Sequence, residues 1–210
     1  MKLVKICGLT NLDDAKSAVR YGADALGFIF AKSPRCIEPS RAKEIIDYIK
    51  NDYILTVGVF VNEDSKKVKE IADYCGLNTL QLHGEESPDY CNDIGDYGII
   101  KSFRMKDQTV LETITAYKRV FAYLLDTYSA NEYGGTGKSF DWGLAVKAKS
   151  YGMPIILSGG IGLHNVEEAV KTVRPYGIDI SSSIERSPGI KDKNKMKELI
   201  GYIKSLDSKE

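Results

Sequence analysis

The 210-residue sequence has no excess of charge of either sign and no long apolar segment. Lysine and arginine together number 29, as do aspartate and glutamate, so the chain lacks the basic field that nucleic acids or anionic lipids require. No apolar run approaches the roughly 18 residues of a membrane span, and the first apolar stretch is too short for a signal peptide. These absences argue against nucleic acid and membrane partners and predict a cytoplasmic protein.

Cysteine and histidine are scarce, and their spacing is not that of a metal site. Only His83 and His164 are available to complete a ligand set, so the sequence predicts no metal. Each cysteine, taken alone, is expected to be a small buried apolar residue. The four cysteines form no close pair in sequence: Cys7, Cys36, Cys75 and Cys91.

Eight short apolar runs, rich in valine, isoleucine, leucine and phenylalanine, alternate with amphipathic stretches. Their starts are separated by roughly 20 to 33 residues, the length of one strand with its crossover helix. The pattern predicts an α/β protein, a closed parallel (β/α)8 barrel or TIM barrel, with residues 1–210 as a single domain. The predicted strands span residues 3–6, 25–30, 54–61, 79–82, 98–101, 121–125, 154–157 and 177–180.

Residues that favour helix starts stand before three of the amphipathic stretches, among them Pro39 and Ser40 before a predicted helix over residues 41–50. Thr10 precedes a predicted helix over residues 11–20. Asp64 likewise precedes one over residues 65–74. Such signals support the alternation of strand and helix that the apolar runs indicate.

An open doubly wound sheet is the competing fold, and it would be expected to carry a glycine-rich phosphate loop after its first strand. The first predicted strand is followed instead by Cys7, Gly8, Leu9 and Thr10. A glycine-rich segment over residues 133–139 superficially resembles a P-loop, but Glu132 stands where that motif requires glycine. The sequence therefore favours the closed barrel.

In such a barrel the functional groups gather at the C-terminal ends of the strands, where all eight βα loops open. Phosphate is commonly held by backbone N–H groups after strands 7 and 8. Gly159 and Gly160 would let the backbone approach an anion, while Ser181 and Ser182 would add hydroxyl donors. A phosphorylated small molecule is therefore the expected ligand, the alternative being that the glycines only turn the chain and the serines cap a helix.

Cys7 and Asp126 follow strands 1 and 6, which flank the phosphate loops because the order around a closed barrel is 6, 7, 8, 1. We expect the two side chains to face each other across the barrel mouth. Alone, an aspartate in this position is more often a helix cap and a cysteine more often a core residue. Their joint placement beside a phosphate site predicts that both side chains are catalytic.

Several motifs, in order along nearly the whole chain, resemble those of the phosphoribosylanthranilate isomerases of tryptophan biosynthesis. The glycine-rich segment, which here carries Ser139 where a threonine is commoner, belongs to one of these motifs. At strand 8 the chain carries Ser183 where many relatives have glycine, so a close backbone approach to phosphate is in doubt at that position. The matching segments are residues 5–10, 28–30 with 33–35, 57–62, 80–84, 124–126, 134–142 and 157–160.

The resemblance implies an Amadori rearrangement of N-(5-phosphoribosyl)anthranilate to 1-(2-carboxyphenylamino)-1-deoxyribulose 5-phosphate, without metal or organic cofactor. Asp126 matches the general acid that protonates the furanose ring oxygen, and Cys7 matches the general base that takes the proton from C2. Arg35 matches the residue facing the anthranilate carboxylate. His83, after strand 4, is expected to position substrate or to pack at the rim. Monomer and small homo-oligomer both stay open.

A free thiol is only a few per cent thiolate near neutral pH, so Cys7 would benefit from a nearby positive charge. Strand alternation places Lys5 on the same face as Cys7, which makes Lys5 a candidate. The alternative is that Lys5 and Asp179 of the neighbouring strand simply neutralise each other inside the barrel.

Two rival functions remain on the same fold. A histidine-pathway aminoaldose isomerase looks as if it carries aspartate at the end of strand 1, so Cys7 argues against it. A non-catalytic sugar-phosphate sensor would keep the phosphate loops but lose the acid or the base, and this sequence has both.

Overall fold

Eight parallel strands close into a barrel in the computed structural model, which describes residues 1–49, 53–127 and 141–207. Each strand pairs with the next along the chain, and the last pairs with the first, with Lys5 opposite Asp179. The predicted barrel is therefore confirmed. The strands are β1 (Leu3–Cys7), β2 (Ala25–Ile29), β3 (Leu55–Phe60), β4 (Thr79–Leu82), β5 (Gly98–Met105), β6 (Ala122–Thr127), β7 (Ile155–Leu157) and β8 (Gly177–Ile180).

Helices cover the outside of the barrel, and the last packs against both the first and the seventh, which closes the outer ring. A 3-10 helix (Ser182–Ile184) and a small hairpin of β9 (Glu185–Ser187) and β10 (Ile190–Lys191) follow β8. None of the helices in the described ranges is long and apolar enough to cross a membrane. The helices are α1 (Leu12–Tyr21), α2 (Pro39–Ile49), α3 (Ser65–Cys75), α4 (Pro88–Asp93), α5 (Thr109–Ile114), α6 (Trp142–Lys149), α7 (Val166–Val173) and α8 (Lys193–Asp207).

Side-chain caps explain where some of the helices begin, whereas α2 begins at Pro39, within the residues that were predicted to precede it. Asp64 caps α3 as predicted, and its carboxylate accepts the N–H groups of Lys66 and Lys67. For α1 the predicted cap is wrong: Asn11 caps the helix, and the Thr10 hydroxyl donates to the carbonyl of Gly189 instead. Both residue types favour N-caps, so composition alone does not choose between adjacent positions.

The inner face of the barrel changes character along its length. Near the N-terminal ends of the strands the interior is apolar, with Leu3, Val57 and Leu124 in one buried cluster. Because alternate residues of a strand share a face, Cys7 and Asp126 continue the inward rows of Leu3 and Leu124. The polar residues of the barrel interior are therefore concentrated at its C-terminal end.

The predicted strands agree with the observed ones in number and order but not in every boundary. The largest difference is in β5, which extends to Met105, four residues beyond the predicted end at Lys101. Ser102 and Arg104 interrupt its apolar run, yet both lie opposite residues of β6. The residues of β5 beyond Lys101 are paired with β6 alone, so the length of the strand follows the ladder to β6 rather than the apolar run.

Candidate active site

Cys7 and Asp126 lie at the C-terminal end of the barrel and both are buried. They were expected just past their strands, but Cys7 is the last residue of β1 and Asp126 the fifth of β6. Only 6% of Cys7 and 3% of Asp126 are accessible to solvent. Strands β7 and β8 stand between their two strands, so β1 and β6 flank the loops after β7 and β8, as expected.

Lys5 lies beside the Cys7 thiol and is also paired with Asp179. Its Nζ atom is 2.8 Å from Asp179 Oδ1, and both side chains are buried. The neighbouring Gly27 leaves room for this arrangement, because a Cβ there would lie 2.9 Å from Cys7 Sγ and 3.1 Å from Lys5 Nζ. The two interpretations of Lys5 thus describe one geometry: the lysine neutralises Asp179 and places its charge next to the thiol.

Burial decides the protonation state of the Cys7 thiol. Burial raises the pKa of Cys7, and the charge and hydrogen bonding of Lys5 lower it by less, so the pKa stays above its ordinary value. Burial lowers the pKa of Lys5, but Asp179 and Cys7 together outweigh it and leave that pKa raised. The lysine is therefore charged and the thiol is protonated at neutral pH.

Asp126 is held by contacts on both of its oxygens. Its Oδ1 accepts the backbone N–H of Thr127 at 2.8 Å. Its Oδ2 lies 3.3 Å from Nε2 of His83, a close approach that is not aligned as a hydrogen bond. On the other side of the imidazole ring, Gln81 Nε2 lies 2.8 Å from His83 Nδ1. His83 therefore links a buried glutamine to the expected general acid.

The loop after β7 lies directly against Asp126. Gly159 and Gly160 have φ angles of 80° and 67°, a conformation that side chains other than glycine rarely adopt. A Cβ at Gly159 would lie 2.6 Å from Asp126 Oδ1 and would also collide with Thr127. Glycine is thus required both for the turn and for the close approach to the acid.

The serines after β8 line the adjacent loop. Ser181 precedes the 3-10 helix, but within the described chain its side chain makes no capping hydrogen bond. The capping alternative therefore does not apply to Ser181. Ser183 stands close to the loop after β7, because a Cβ added to Gly162 would lie 3.3 Å from the Cβ of Ser183. The Ser183 hydroxyl oxygen is buried without a hydrogen-bond partner among the described residues.

Arg35 lies against Gly8, the residue that follows the end of β1. A Cβ on Gly8, whose φ is 74°, would lie 2.6 Å from Arg35 Cδ. The guanidinium binds Glu185, with Nε 3.0 Å from both carboxylate oxygens and Nη2 2.7 Å from Oε2. The structure therefore brings Arg35 to the mouth and fixes the plane of its guanidinium.

Lys191 is a buried cation that the sequence interpretation missed. Its Nζ donates to the carbonyl oxygens of Cys7 at 2.6 Å and Ser181 at 3.3 Å, and it lies 2.8 Å from Glu185 Oε1. Burial lowers the pKa of Lys191, and the attraction of Glu185 only partly offsets this. Burial raises the pKa of Glu185, but Arg35 and Lys191 outweigh it and leave that pKa below its usual value.

Of the three site residues that the sequence interpretation missed, the sequence carried a signal for Gln81 but none for Glu185 and Lys191. Gln81 stands two positions before His83, so strand alternation places both on one face. Glu185 and Lys191 lie in an irregular segment beyond β8, where no periodicity indicates which side chains point inward.

The glycine-rich segment over residues 133–139, with Ser139, lies outside the described residues. In the described part of the chain, no group of three potential metal ligands is arranged to hold an ion.

Comparisons with known proteins agree on one family. The family described as N-(5'phosphoribosyl)anthranilate (PRA) isomerase matches residues 4–201. An N-(5'-phosphoribosyl)anthranilate isomerase of Geotalea uraniireducens is 49% identical over 207 residues, which cover 98% of this chain and 100% of that protein. One from Trichlorobacter lovleyi is 48% identical, covering 96% of this chain and 97% of the relative.

Solved structures give the same result. A phosphoribosyl anthranilate isomerase from Thermotoga maritima superimposes with a TM-score of 0.91 at 40% identity, covering 98% of this chain and all of that one. Another structure shows a phosphoribosyl anthranilate isomerase in complex with reduced 1-(o-carboxyphenylamino)-1-deoxyribulose 5-phosphate. It has a TM-score of 0.87 at 38% identity, with the same coverage.

Proposed function

The chain belongs to the N-(5'-phosphoribosyl)anthranilate isomerase family, and from this premise we propose how its residues divide the reaction. The activity is the Amadori rearrangement of N-(5-phosphoribosyl)anthranilate in tryptophan biosynthesis. It needs one group that gives a proton to the furanose ring oxygen and another that removes the proton from C2. We assign the first role to Asp126 and the second to Cys7.

Asp126 begins the reaction as a general acid. Its proton passes to the ring oxygen, the bond from that oxygen to C1 breaks, and the nitrogen lone pair forms a protonated Schiff base. Asp126 suits this role because it is buried beside Gly159, in the loop proposed to hold the phosphate. A positioned acid of this kind contributes roughly 10² to 10⁴ to the rate.

Cys7 continues the reaction as a general base. As thiolate it removes the C2 proton, and the electrons move toward the cationic nitrogen to give an enolamine, which tautomerises to the ketone. The thiol is protonated at neutral pH, but two positive charges favour the thiolate during the reaction. One is the Lys5 ammonium. The other is the Schiff base, since a nearby opposite charge stabilises an anion.

The remaining site residues would bind the two ends of the substrate. Gly159 and Gly160 would hold the phosphate through backbone N–H groups, with the hydroxyls of Ser181 and Ser182 beside them. Arg35 would face the anthranilate carboxylate, for which a planar fork of donors is suited. Glu185 supports this role by fixing the orientation of the guanidinium.

The observation that carries the assignment is the placement of Cys7 and Asp126 as buried inward residues on the two strands that flank the phosphate loops. The test is Asp126→Asn, because the amide keeps the shape but has no acidic proton to give. Turnover, followed by anthranilate fluorescence, should fall by at least about 100-fold. Affinity for a reduced product analogue should be largely kept. Activity within about threefold of the parent would contradict the role of Asp126.

The wider setting of the enzyme is also a proposal. We take residues 1–210 as one catalytic domain that works in the cytoplasm on a phosphorylated small molecule, with neither metal nor organic cofactor. One solved relative is described as monomers generated from a dimeric isomerase of Thermotoga maritima. Monomer and small homo-oligomer therefore both stay open for this chain.

A further inference from the structure

We propose that Gln81 fixes the ring proton of His83 on Nε2, so that His83 presents an N–H group rather than a lone pair to Asp126 and thereby positions that carboxyl group. In this role His83 is neither a second acid nor a second base. The proposal rests on the assignment of Asp126 as general acid. It adds Gln81 and His83 as positioning residues, which act on the reaction through Asp126.

The fold places the side chains of Gln81 and His83 on the same inward face of the barrel. Val57 belongs to the inner cluster of the barrel, so the next inward residue of β3 is Val59, and Gln81 lies opposite it on β4. His83 follows two residues later on the same face, anchored by its backbone N–H to the carbonyl of Phe60 at 2.8 Å. Gln81 is 1% exposed and His83 8%, so water does not compete freely for these contacts.

The amide of Gln81 selects the tautomer of His83. Its Nε2 faces His83 Nδ1 at 2.8 Å and carries only hydrogens, so Nδ1 must accept. A neutral imidazole that accepts at Nδ1 carries its proton on Nε2. His83 then presents an N–H group 3.3 Å from Asp126 Oδ2, although this contact is not aligned as a hydrogen bond.

The chemistry of Asp126 requires this tautomer. With the proton on Nδ1, the lone pair of Nε2 would face Asp126 and accept the acidic proton that should go to the furanose oxygen. With the proton on Nε2, the ring donates to the carboxylate that forms when Asp126 has given up its proton. Because Gln81 Oε1 has no partner among the described residues, the other end of the amide does not oppose this orientation.

Nitrogen NMR of histidine-labelled protein tests the tautomer without any assay of activity. The chain has two histidines, and the exposed His164 provides an internal reference. We expect the neutral ring of His83 to carry its proton on Nε2 and none on Nδ1. A proton on Nδ1 in the parent enzyme would overturn the proposal.

Gln81→Glu tests the consequence, because a carboxylate at this position attracts the proton to Nδ1. We expect the His83 signals to move accordingly and kcat to fall roughly 10- to 100-fold, a part of the contribution of a positioned acid, with little change in KM. Gln81→Met removes the selection without adding a charge and should lower kcat less. Gln108→Glu, the same change at an exposed residue before α5, should alter neither kcat nor the His83 signals.

The outcomes separate this proposal from the assignment of Asp126. The positioning role is wrong if the ring proton moves to Nδ1 in Gln81→Glu but kcat does not fall. It is also wrong if KM alone changes. Both conclusions hold even when Asp126→Asn is inactive. If Asp126→Asn keeps its turnover, the assignment of the acid fails, whatever the NMR spectrum of His83 shows.

Discussion

The ammonium of Lys191 donates a 2.6 Å hydrogen bond to the carbonyl oxygen of Cys7, so the proposed base is attached to a buried ion cluster. The same ammonium contacts Glu185, which binds Arg35. We name these three charged residues the Lys191 cluster. It joins the end of β1, the loop after β8 and the arginine proposed to bind substrate, so its integrity should matter for both stability and binding.

Glu185→Gln should lower the free energy of unfolding by about 3 to 5 kcal/mol, because removing one partner leaves a buried charge uncompensated. Chemical denaturation at neutral pH measures the change. Glu63→Gln is the matched control, since Glu63 pairs with Lys67 on the surface and its loss should change the free energy by about 0 to 1 kcal/mol. Equal effects of the two substitutions would contradict the role given to the cluster.

The difference in the free energy of unfolding between the parent and Glu185→Gln should depend on pH. The folded pKa of Glu185 is lowered, so its carboxylate stabilises the fold above the unfolded pKa of about 4.3. That contribution is lost as the pH falls through the folded value. Denaturation midpoints should therefore converge at acid pH, and a difference that widened there would contradict the shift.

Arg35→Ala should act mainly on KM, because the substrate carboxylate is present in both the ground state and the transition state. Loss of charged hydrogen bonds predicts an increase in KM of roughly 10- to 100-fold. Steady-state kinetics measure it, with thermal unfolding run in parallel because Glu185 loses a partner as well. A change in kcat with unaltered KM would show that Arg35 has another role.

Alkylation should distinguish the cysteines by exposure and by pKa. Cys36 is exposed, whereas Cys7 is buried with a raised pKa, and burial raises the pKa of Cys75 and Cys91 to about 11. We expect iodoacetamide to modify Cys36 first without loss of activity. Inactivation should follow the slower modification of Cys7, and a product analogue should retard it. Peptide mapping during the time course decides this, and inactivation in step with Cys36 would oppose it.

The pH dependence of kcat/KM should report the Cys7 thiol of the free enzyme. A general base works only when deprotonated, and burial raises the pKa of Cys7, so the thiolate fraction grows as the pH rises. In Asp126→Asn, which removes the titration of the acid, we expect the residual kcat/KM to increase about tenfold per pH unit through the neutral range while the pH stays below that pKa. A flat profile of this variant over the same range would contradict a buried thiol as base.

The barrel and its functional rim could be predicted because both follow from periodicity. Apolar runs at regular spacing specify the strands, and a closed parallel barrel places every strand end on one face, which brought Cys7, Asp126 and Gly159 together. The extension of β5 through Arg104 could not be predicted, because it depends on hydrogen bonding to β6 rather than on hydrophobicity.

Tertiary contacts that join distant parts of the chain were also beyond the sequence. Lys191 meets Cys7 across 184 positions, and nothing near either residue indicates the contact. The rise in the pKa of Cys7 could not be predicted for a related reason. The sequence identified the favourable charge of Lys5, but the larger effect of burial depends on packing.

The most direct test of the account is the turnover of Cys7→Ala beside the parent enzyme and Cys36→Ala, with N-(5-phosphoribosyl)anthranilate consumption followed by fluorescence. If Cys7 is the base, its alanine variant should lose at least about 100-fold in kcat while still binding a product analogue. Cys36→Ala, in the exposed loop after β2, should keep parental turnover. Parental turnover by Cys7→Ala would contradict the central claim.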